Sequence, residues 1–233
     1  MKMRVILSLF VILSAVMGTA HAGLISVDSY SMLNGSRGSF TYFDDNYTGI
    51  GDTTVVNAAL SGGVGKLTDG VIAEQIWCNT ESTGTCSALG QDINGLYVGW
   101  VNLDPIITFS FAPNTKINRV FIYADDSEFS PVTQTITEGA FGFGGLQAPA
   151  SVAITELSQV FSLGNVANAG PNKYVIDFDL IETDTLTLQF NRNNTPWILI
   201  SEIQFENTTS VNAPSSALLM VASIFMLFRL KRK

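Results

Sequence analysis

The stretch Ile106-Ile107-Thr108-Phe109-Ser110-Phe111 places an apolar side chain at every second position from Ile107, with Thr108 and Ser110 between them. Side chains of a β-strand point alternately to opposite faces, so this pattern predicts a strand with one face in a core and the other in water. The same alternation recurs at residues 151–155, 176–180 and 185–190. Strands of this kind are typical of antiparallel sheets.

Other runs complete the prediction of the fold class. Residues 119–123 and 197–205 are apolar on both sides over part of their length, which predicts central strands covered on both faces. A further strand is expected at residues 39–43. Glycine and proline clusters separate the runs, as at residues 60–65 and 168–172. Seven or more short strands with such turns predict an all-β, antiparallel jelly-roll sandwich.

The two ends of the chain are predicted to be sorting segments around this domain. Lys2 and Arg4 precede a short apolar run and the ending Ala20-His21-Ala22, which is typical of a signal peptide cleaved after residue 22. The predicted boundaries are a signal peptide at 1–22, a domain at 23–207, a linker at 208–216 and a hydrophobic sorting helix with a basic tail at 217–233. About 12 apolar residues at the C-terminal end are few for a stable span, and a short tail anchor is the alternative.

The C-terminal arrangement resembles the PEP-CTERM class of exported bacterial proteins, whose tail combines a proline-containing motif, an apolar stretch and a basic end. Where that class usually has Pro-Glu-Pro, this chain has Asn212-Ala213-Pro214. The resemblance implies transient insertion into the inner membrane, removal of the tail by an exosortase, and delivery to the cell surface or the extracellular matrix.

Charge and residue types exclude several kinds of function. Residues 23–210 keep all 20 acidic residues but only six of the 12 basic ones, which gives a net charge of 6 − 20 = −14. Nucleic acid should be repelled by such a domain. The single histidine, His21, falls in the predicted signal peptide, so histidine-dependent nucleophiles and histidine-ligated zinc are excluded. Cys78 and Cys86, an even pair in an exported chain, predict a disulfide; a reactive or metal-binding pair is the alternative.

Paired carboxylates are the remaining route to catalysis. Asp44-Asp45 and Asp125-Asp126 offer acid and base groups for a glycoside hydrolase. Adjacent residues on a strand point in opposite directions, so neither pair flanks one bond by itself. We therefore expect a protein that is not an enzyme.

The order of short motifs along the chain resembles discoidin or galactose-binding-like domains, a group that includes coagulation-factor type C domains and many bacterial carbohydrate-binding modules. The motifs are Lys66-Leu67-Thr68-Asp69-Gly70, Trp77, Gly99-Trp100, and the runs at 106–111, 117–123, 150–154, 186–190 and 200–205. The resemblance implies an eight-stranded sandwich whose ligands, most often carbohydrate, bind loops at one end. It also implies a structural calcium held by Asp69, Glu202 and backbone carbonyls; the alternatives are that Asp69 fixes a turn and that Glu202 faces solvent.

Sugar recognition needs exposed aromatic rings for stacking and polar side chains for the hydroxyl groups. The candidate ligand-binding residues are Tyr47, Trp77, Phe129, Arg192, Asn193 and Trp197. For the two tryptophans, a place in the core is the alternative. The sequence predicts an exported module that binds carbohydrate such as exopolysaccharide; a structural or adhesive matrix protein and a carboxylate-dependent hydrolase are the alternatives.

Overall fold

The computed structural model describes residues 23–38, 40–80, 95–125, 148–164, 171–192 and 196–208, without the side chains of Cys78 and Asn79. Leu24–Asn207 forms one compact unit. No helix in these ranges has the length and apolar character needed to cross a bilayer. The predicted signal peptide, the sorting helix, the disulfide partner Cys86 and the candidates Phe129 and Asn193 lie outside the described residues.

The described part of the chain folds as β-structure with a few short helical turns. The strands are β1 (Gly23–Ile25), β2 (Ser29–Leu33), β3 (Ala59–Gly63), β4 (Val98–Val101), β5 (Ile106–Asp125), β6 (Ser151–Ile154), β7 (Gln159–Ser162), β8 (Pro171–Asn191) and β9 (Trp197–Asn207). One α-helix, α1 (Trp77–Thr80), and two 3-10 turns at Lys66–Thr68 and Thr155–Leu157 complete the elements. The pairings among β2 to β9 are all antiparallel.

The long strands β5 and β8 belong to two layers. Residues 106–110 of β5 lie between β2 and the end of β8 in a first layer ordered β3-β2-β5-β8-β6-β7. Residues 119–124 of β5 lie between β9 and the beginning of β8 in a second layer, where β1 and β4 also pair with β9.

Aromatic side chains pack the two layers against each other. The Phe205 ring on β9 lies 4.8 Å from that of Phe109 and 4.9 Å from that of Phe111, measured between centroids. Phe109 is on the first-layer part of β5 and Phe111 directly follows that part, and all three rings belong to one buried cluster. The predicted all-β antiparallel sandwich is confirmed.

Two pairs of predicted strands are single strands in the structure. On β5, Ser110 and Thr115 are five positions apart, whereas their partners on β8, Thr185 and Thr183, are two positions apart. This bulge contains Pro113, which has no N–H to give to a ladder, and Asn114, whose φ is 61°. The apolar pattern breaks at the bulge although the strand continues. The runs at 176–180 and 185–190 likewise join in β8.

A second buried cluster lies outside the main core and explains one wrong prediction. Its members are Phe40, Tyr42, Ala73, Trp77, Tyr97, Trp197 and Leu199. Of the strand predicted at 39–43, the described residues 40–43 form no strand and contribute an isolated bridge between Arg37 and Thr41. Phe40 and Tyr42 alternate with polar residues because both rings enter this second cluster.

We expect Phe205→Ala to lower the free energy of unfolding by about 4 kcal/mol, since it leaves a cavity between the two layers. Urea denaturation of residues 23–208 measures the change. The matched control Leu24→Ala, at a side chain that is mostly exposed, should cost less than about 0.5 kcal/mol. Equal effects of the two substitutions would contradict the packing described above.

Candidate functional site

Three connections between strands meet at one end of the sandwich. The Asn102 N–H after β4 donates to the Pro196 carbonyl before β9 at 2.7 Å, and the Phe190 N–H on β8 donates to the Pro105 carbonyl at 3.0 Å. The Ala150 N–H before β6 donates to the Asn191 carbonyl at 2.8 Å. These backbone bonds bring polar residues from distant parts of the sequence to one surface.

Arg192 is held in place at this end by two residues of the β4–β5 connection. Its Nε donates to Asp104 Oδ1 at 2.8 Å, and its backbone N–H donates to the same oxygen at 3.1 Å. Its Nη1 donates to Asn102 Oδ1 at 3.3 Å. A guanidinium has five N–H donors, so these contacts fix the group and leave other donors for a ligand. The Arg192 side chain is 25% exposed and that of Asp104 is 42% exposed.

We call Asn102, Asp104, Asn191 and Arg192 the Arg192 cluster. Asn191 Nδ2 donates to Ser151 Oγ at 3.2 Å, which ties the cluster to β6. Asn102 has a φ of 53°, a left-handed conformation that asparagine tolerates better than most residues. Sequence reasoning identified Arg192 but missed Asn102 and Asp104. The turn signal of Asn102-Leu103-Asp104-Pro105 after an apolar run was available to find them.

Three of the four predicted aromatic stacking residues, Tyr47, Trp77 and Trp197, lie in the core, which corrects their assignment as ligand-binding residues. Trp77 and Trp197 are each 3% exposed and share the second cluster, where the Trp197 ring is 5.0 Å from that of Tyr42. Tyr47 is also buried; its hydroxyl donates to the Tyr30 carbonyl and accepts from the Gly63 N–H at 2.8 Å. Rings enclosed on both faces offer nothing for a sugar to stack on.

Asp69 and Glu202, the predicted calcium ligands, are brought together by the fold. Glu202 is 2% exposed on β9, and its Oε2 accepts from the N–H of Gly70, the neighbour of Asp69, at 3.3 Å. Its Oε1 accepts from Gln204 Nε2 at 3.4 Å. Burial is the main cause that raises the pKa of Glu202 from 4.5 to about 8, and the negative charge of Asp69 raises it further. The expectation that Glu202 faces solvent is wrong.

The groups around the Glu202 carboxylate provide some of the oxygen ligands that a calcium ion needs. No lysine or arginine in the described ranges forms an ion pair with Glu202, and Thr68 Oγ1 in the adjoining turn is buried with no hydrogen-bond partner there. Asn46 Nδ2 donates to Asp69 Oδ2 at 3.3 Å. Within the same ranges, no group of three or more His, Cys, Asp or Glu side chains is placed to hold a metal. A cation here would therefore need carbonyl, amide or hydroxyl oxygens besides the two carboxylates.

The first residue of each carboxylate pair considered for hydrolysis, Asp44 and Asp125, has structural partners. Asp44 is fully buried and accepts from the Tyr30 hydroxyl and from the Lys66 N–H at 2.9 Å. Its burial raises its pKa. Asp125 is also fully buried and accepts from the Trp77 N–H at 2.5 Å. Both carboxylates hold loops against strands and have no open surface beside them.

No protein-family model and no curated protein matches the chain. Its fold is similar to that of a chitosan-binding module of a chitosanase/glucanase from Paenibacillus sp. IK-5 (10% identity, TM-score 0.28, 47% of this chain and 76% of that chain). A CBM32 module from Clostridium perfringens in complex with GalNAc-β-1,3-galactose is also similar (11% identity, TM-score 0.29, 48% and 77%). A third similar structure is the CBM32-2 module of a GH31 protein bound to GalNAc (14% identity, TM-score 0.34, 81% and 100%).

Because of the Glu202 carboxyl, we expect the free energy of unfolding to fall as the pH rises from about 4.5 to about 8. Between its ordinary pKa of 4.5 and its folded pKa of about 8, the unfolded chain loses the proton while the folded chain keeps it. Glu202→Gln removes this titration, so without calcium it should be more stable than the wild type at pH 8, by on the order of 3 kcal/mol, and similar at pH 4.

Thermal melts in EDTA from pH 4 to pH 8 measure this difference. The control Glu206→Gln lies four residues further along β9 and removes a carboxylate that pairs with Arg119 at 3.0 Å. It should give no gain in stability at pH 8. If the melting temperatures of Glu202→Gln and of the wild type differed by the same amount at every pH from 4 to 8, the raised pKa of Glu202 would be contradicted.

Proposed function

We propose that the domain is an exported carbohydrate-binding module whose ligand contacts the Arg192 cluster. The observation that supports this proposal is the guanidinium of Arg192, fixed by Asp104 and Asn102 at the loop end of the sandwich and still partly exposed. A rigid donor group loses little conformational freedom when a ligand binds.

The chemistry of the cluster suits a polyhydroxylated ligand. Sugar hydroxyl groups both donate and accept hydrogen bonds, so they can accept from Arg192 and Asn102 and donate to Asp104. Hydrogen bonds to charged groups are stronger than those between neutral groups. The charges of Arg192 and Asp104 cancel locally, while residues 23–210 carry −14 overall. A neutral exopolysaccharide is therefore a better ligand than a strongly anionic one.

Calcium is part of the proposal as a structural ion. Asp69 and Glu202 would hold it together with backbone carbonyls, and the ion would neutralise the two neighbouring carboxylates. Glu202 already links the turn at 69–70 to β9, because its carboxylate accepts from the Gly70 N–H. A bound cation would strengthen that link without contacting the ligand.

Export is the third part of the proposed function, and the sequences of the two ends of the chain support it. The apolar runs and basic residues at 1–22 and 217–233 are those of a signal peptide and a sorting tail that an exosortase removes. A module released in this way would act at the cell surface or in the extracellular matrix. The mass of the protein recovered from the producing cell tests both cleavages, and a chain that keeps residues 1–22 would contradict export.

Arg192→Ala should weaken glycan binding at least about 10-fold, because it removes the charged hydrogen bonds of the cluster. Residues 23–208 are first applied to a glycan array that includes the polysaccharide of the producing cell, and the strongest ligand is then measured by calorimetry. Arg192→Lys should recover only part of the affinity, since an ammonium cannot reproduce the planar fork.

The matched control for this experiment is Arg119→Ala, which removes another partly exposed arginine that is held by Asp177 and Glu206 on a sheet face. Its affinity should equal that of the wild type. Absence of binding to every glycan, or equal losses in both variants, would refute the proposed site.

Calcium at 100 times its dissociation constant should stabilise the wild type by about 2.7 kcal/mol. Glu202→Gln and Asp69→Asn should each lose most of this gain, and Asp52→Asn, in an exposed turn outside the proposed site, should keep it. Melting in calcium and in EDTA makes the comparison. An unchanged midpoint of the wild type would exclude the ion and leave the glycan proposal standing.

A further inference from the structure

The outer face of the first layer is uncharged on its three neighbouring strands β2, β5 and β8. Alternate residues are buried at 29–33, 106–110 and 185–189, so the residues between them point outward. These outward side chains are serine, threonine, leucine, isoleucine and glutamine. The carboxylate of Glu156, which follows β6, accepts from the Thr187 N–H at 2.9 Å on the side of β8 away from β2. A face without charge suits a neutral ligand.

Two large apolar side chains lie next to each other on this face. Ser31 of β2 is paired with Thr108 of β5, so two residues further along each strand Leu33 comes beside Ile106. Leu33 is in turn the partner of Ala59 on β3. Leu33 is 42% exposed and Ile106 is 52% exposed. We call Ile106, Leu33 and Ala59 the apolar strip.

Polar groups border the apolar strip on two sides. On the loop side lies the Arg192 cluster, because Asp104 is bonded to Arg192 and precedes Ile106 by two residues. On the other side, Thr108 Oγ1 and Thr187 Oγ1 lie 3.2 Å apart. A hydroxyl group has one donor and two acceptor sites, so this pair can also bond to a ligand. The strip is thus an apolar path between two groups of hydrogen-bonding side chains.

We propose, building on the carbohydrate-binding function proposed above, that a neutral linear polysaccharide held at the Arg192 cluster continues over the apolar strip toward β3. A pyranose ring has apolar C–H faces and hydroxyl groups around its rim. The C–H faces cover Ile106 and Leu33, while the hydroxyl groups bond to the Arg192 cluster on one side and to the Thr108–Thr187 pair on the other. The distance from β8 to β3 is three strand spacings, about 14 Å, so the ligand is a chain of several sugar units.

The observations favour this ligand and this direction over the alternatives. Residues 23–210 carry a charge of −14, so two copies of the domain repel each other, whereas a neutral glycan meets no repulsion. Toward β7, the residue next to Gln189 is Ala153, whose side chain is a single methyl group, and Val160 follows only beyond it. The two large apolar side chains that are neighbours on this face, Leu33 and Ile106, lie on the β2 side of the cluster.

Calorimetry of residues 23–208 with glycan fragments of different length tests the proposal. The neutral polysaccharide that binds most strongly is cut by partial acid hydrolysis, and its disaccharide is compared with its longest soluble fragment. Leu33→Asp should weaken binding of the long fragment about 10-fold, because the new charge must lose water beneath the sugar, and should leave the disaccharide unaffected. The control Val160→Asp, at a 67% exposed apolar residue on the other end of the same face, should change neither affinity.

Ile106→Ser provides a second variant if Leu33→Asp fails to fold, and it should weaken binding of the long fragment about 5-fold. A longer chain also offers more binding positions to the Arg192 cluster alone, but that gain would survive both substitutions.

Equal affinities of the wild type for the two fragments would overturn the extended site and leave the proposed function standing. A preference for the long fragment that both variants keep would overturn it as well. Absence of binding to fragments of every length would instead refute the proposed function, and the extended site with it.

Discussion

The strands β5 and β8 run continuously through both layers, and the positions of the other strands follow from them. Because each strand takes part in two sheets, the register of one layer fixes that of the other. The bulge at Pro113 and Asn114 is where β5 passes between them, and Phe205 then fills the space against Phe109 and Phe111. The end of β8 carries Asn191 and Arg192 to the loops at one end of the sandwich, so the candidate site depends on the same two strands.

Two buried carboxylates show how the surroundings assign different roles to the same chemical group. Asp44 accepts from the Tyr30 hydroxyl and from a backbone N–H at 2.9 Å, and Lys66 lies nearby, paired to Asp45 at 2.7 Å. Within the part of the chain that the structure describes, Glu202 has two long hydrogen bonds, of 3.3 and 3.4 Å, and a second carboxylate beside it. Burial raises the pKa of both groups. Asp44 is satisfied by the protein itself, whereas the buried Glu202 lies beside a second carboxylate, Asp69.

Much of the fold followed from the alternation of side chains, and the errors have physical causes. The pattern around Phe109 identified the strands, but it could not show that β5 continues through a bulge, where the alternation is lost. Trp77 and Trp197 flank polar turns in the sequence and still enter a second core, which local pattern does not reveal. Arg192 was found as a polar loop residue. Its partner Asp104 was missed because 88 residues separate them, and only the strand pairing brings them together.

The proposed function requires a glycan to bind at the loop end beside Arg192. An amide spectrum of ¹⁵N-labelled residues 23–208, titrated with the oligosaccharide that binds most strongly, locates the bound ligand. We predict shifts that centre on Asn102, Asp104 and Arg192 and leave the strands β1 and β7 unchanged. Shifts centred on any other surface, with those three residues unmoved, would contradict the account.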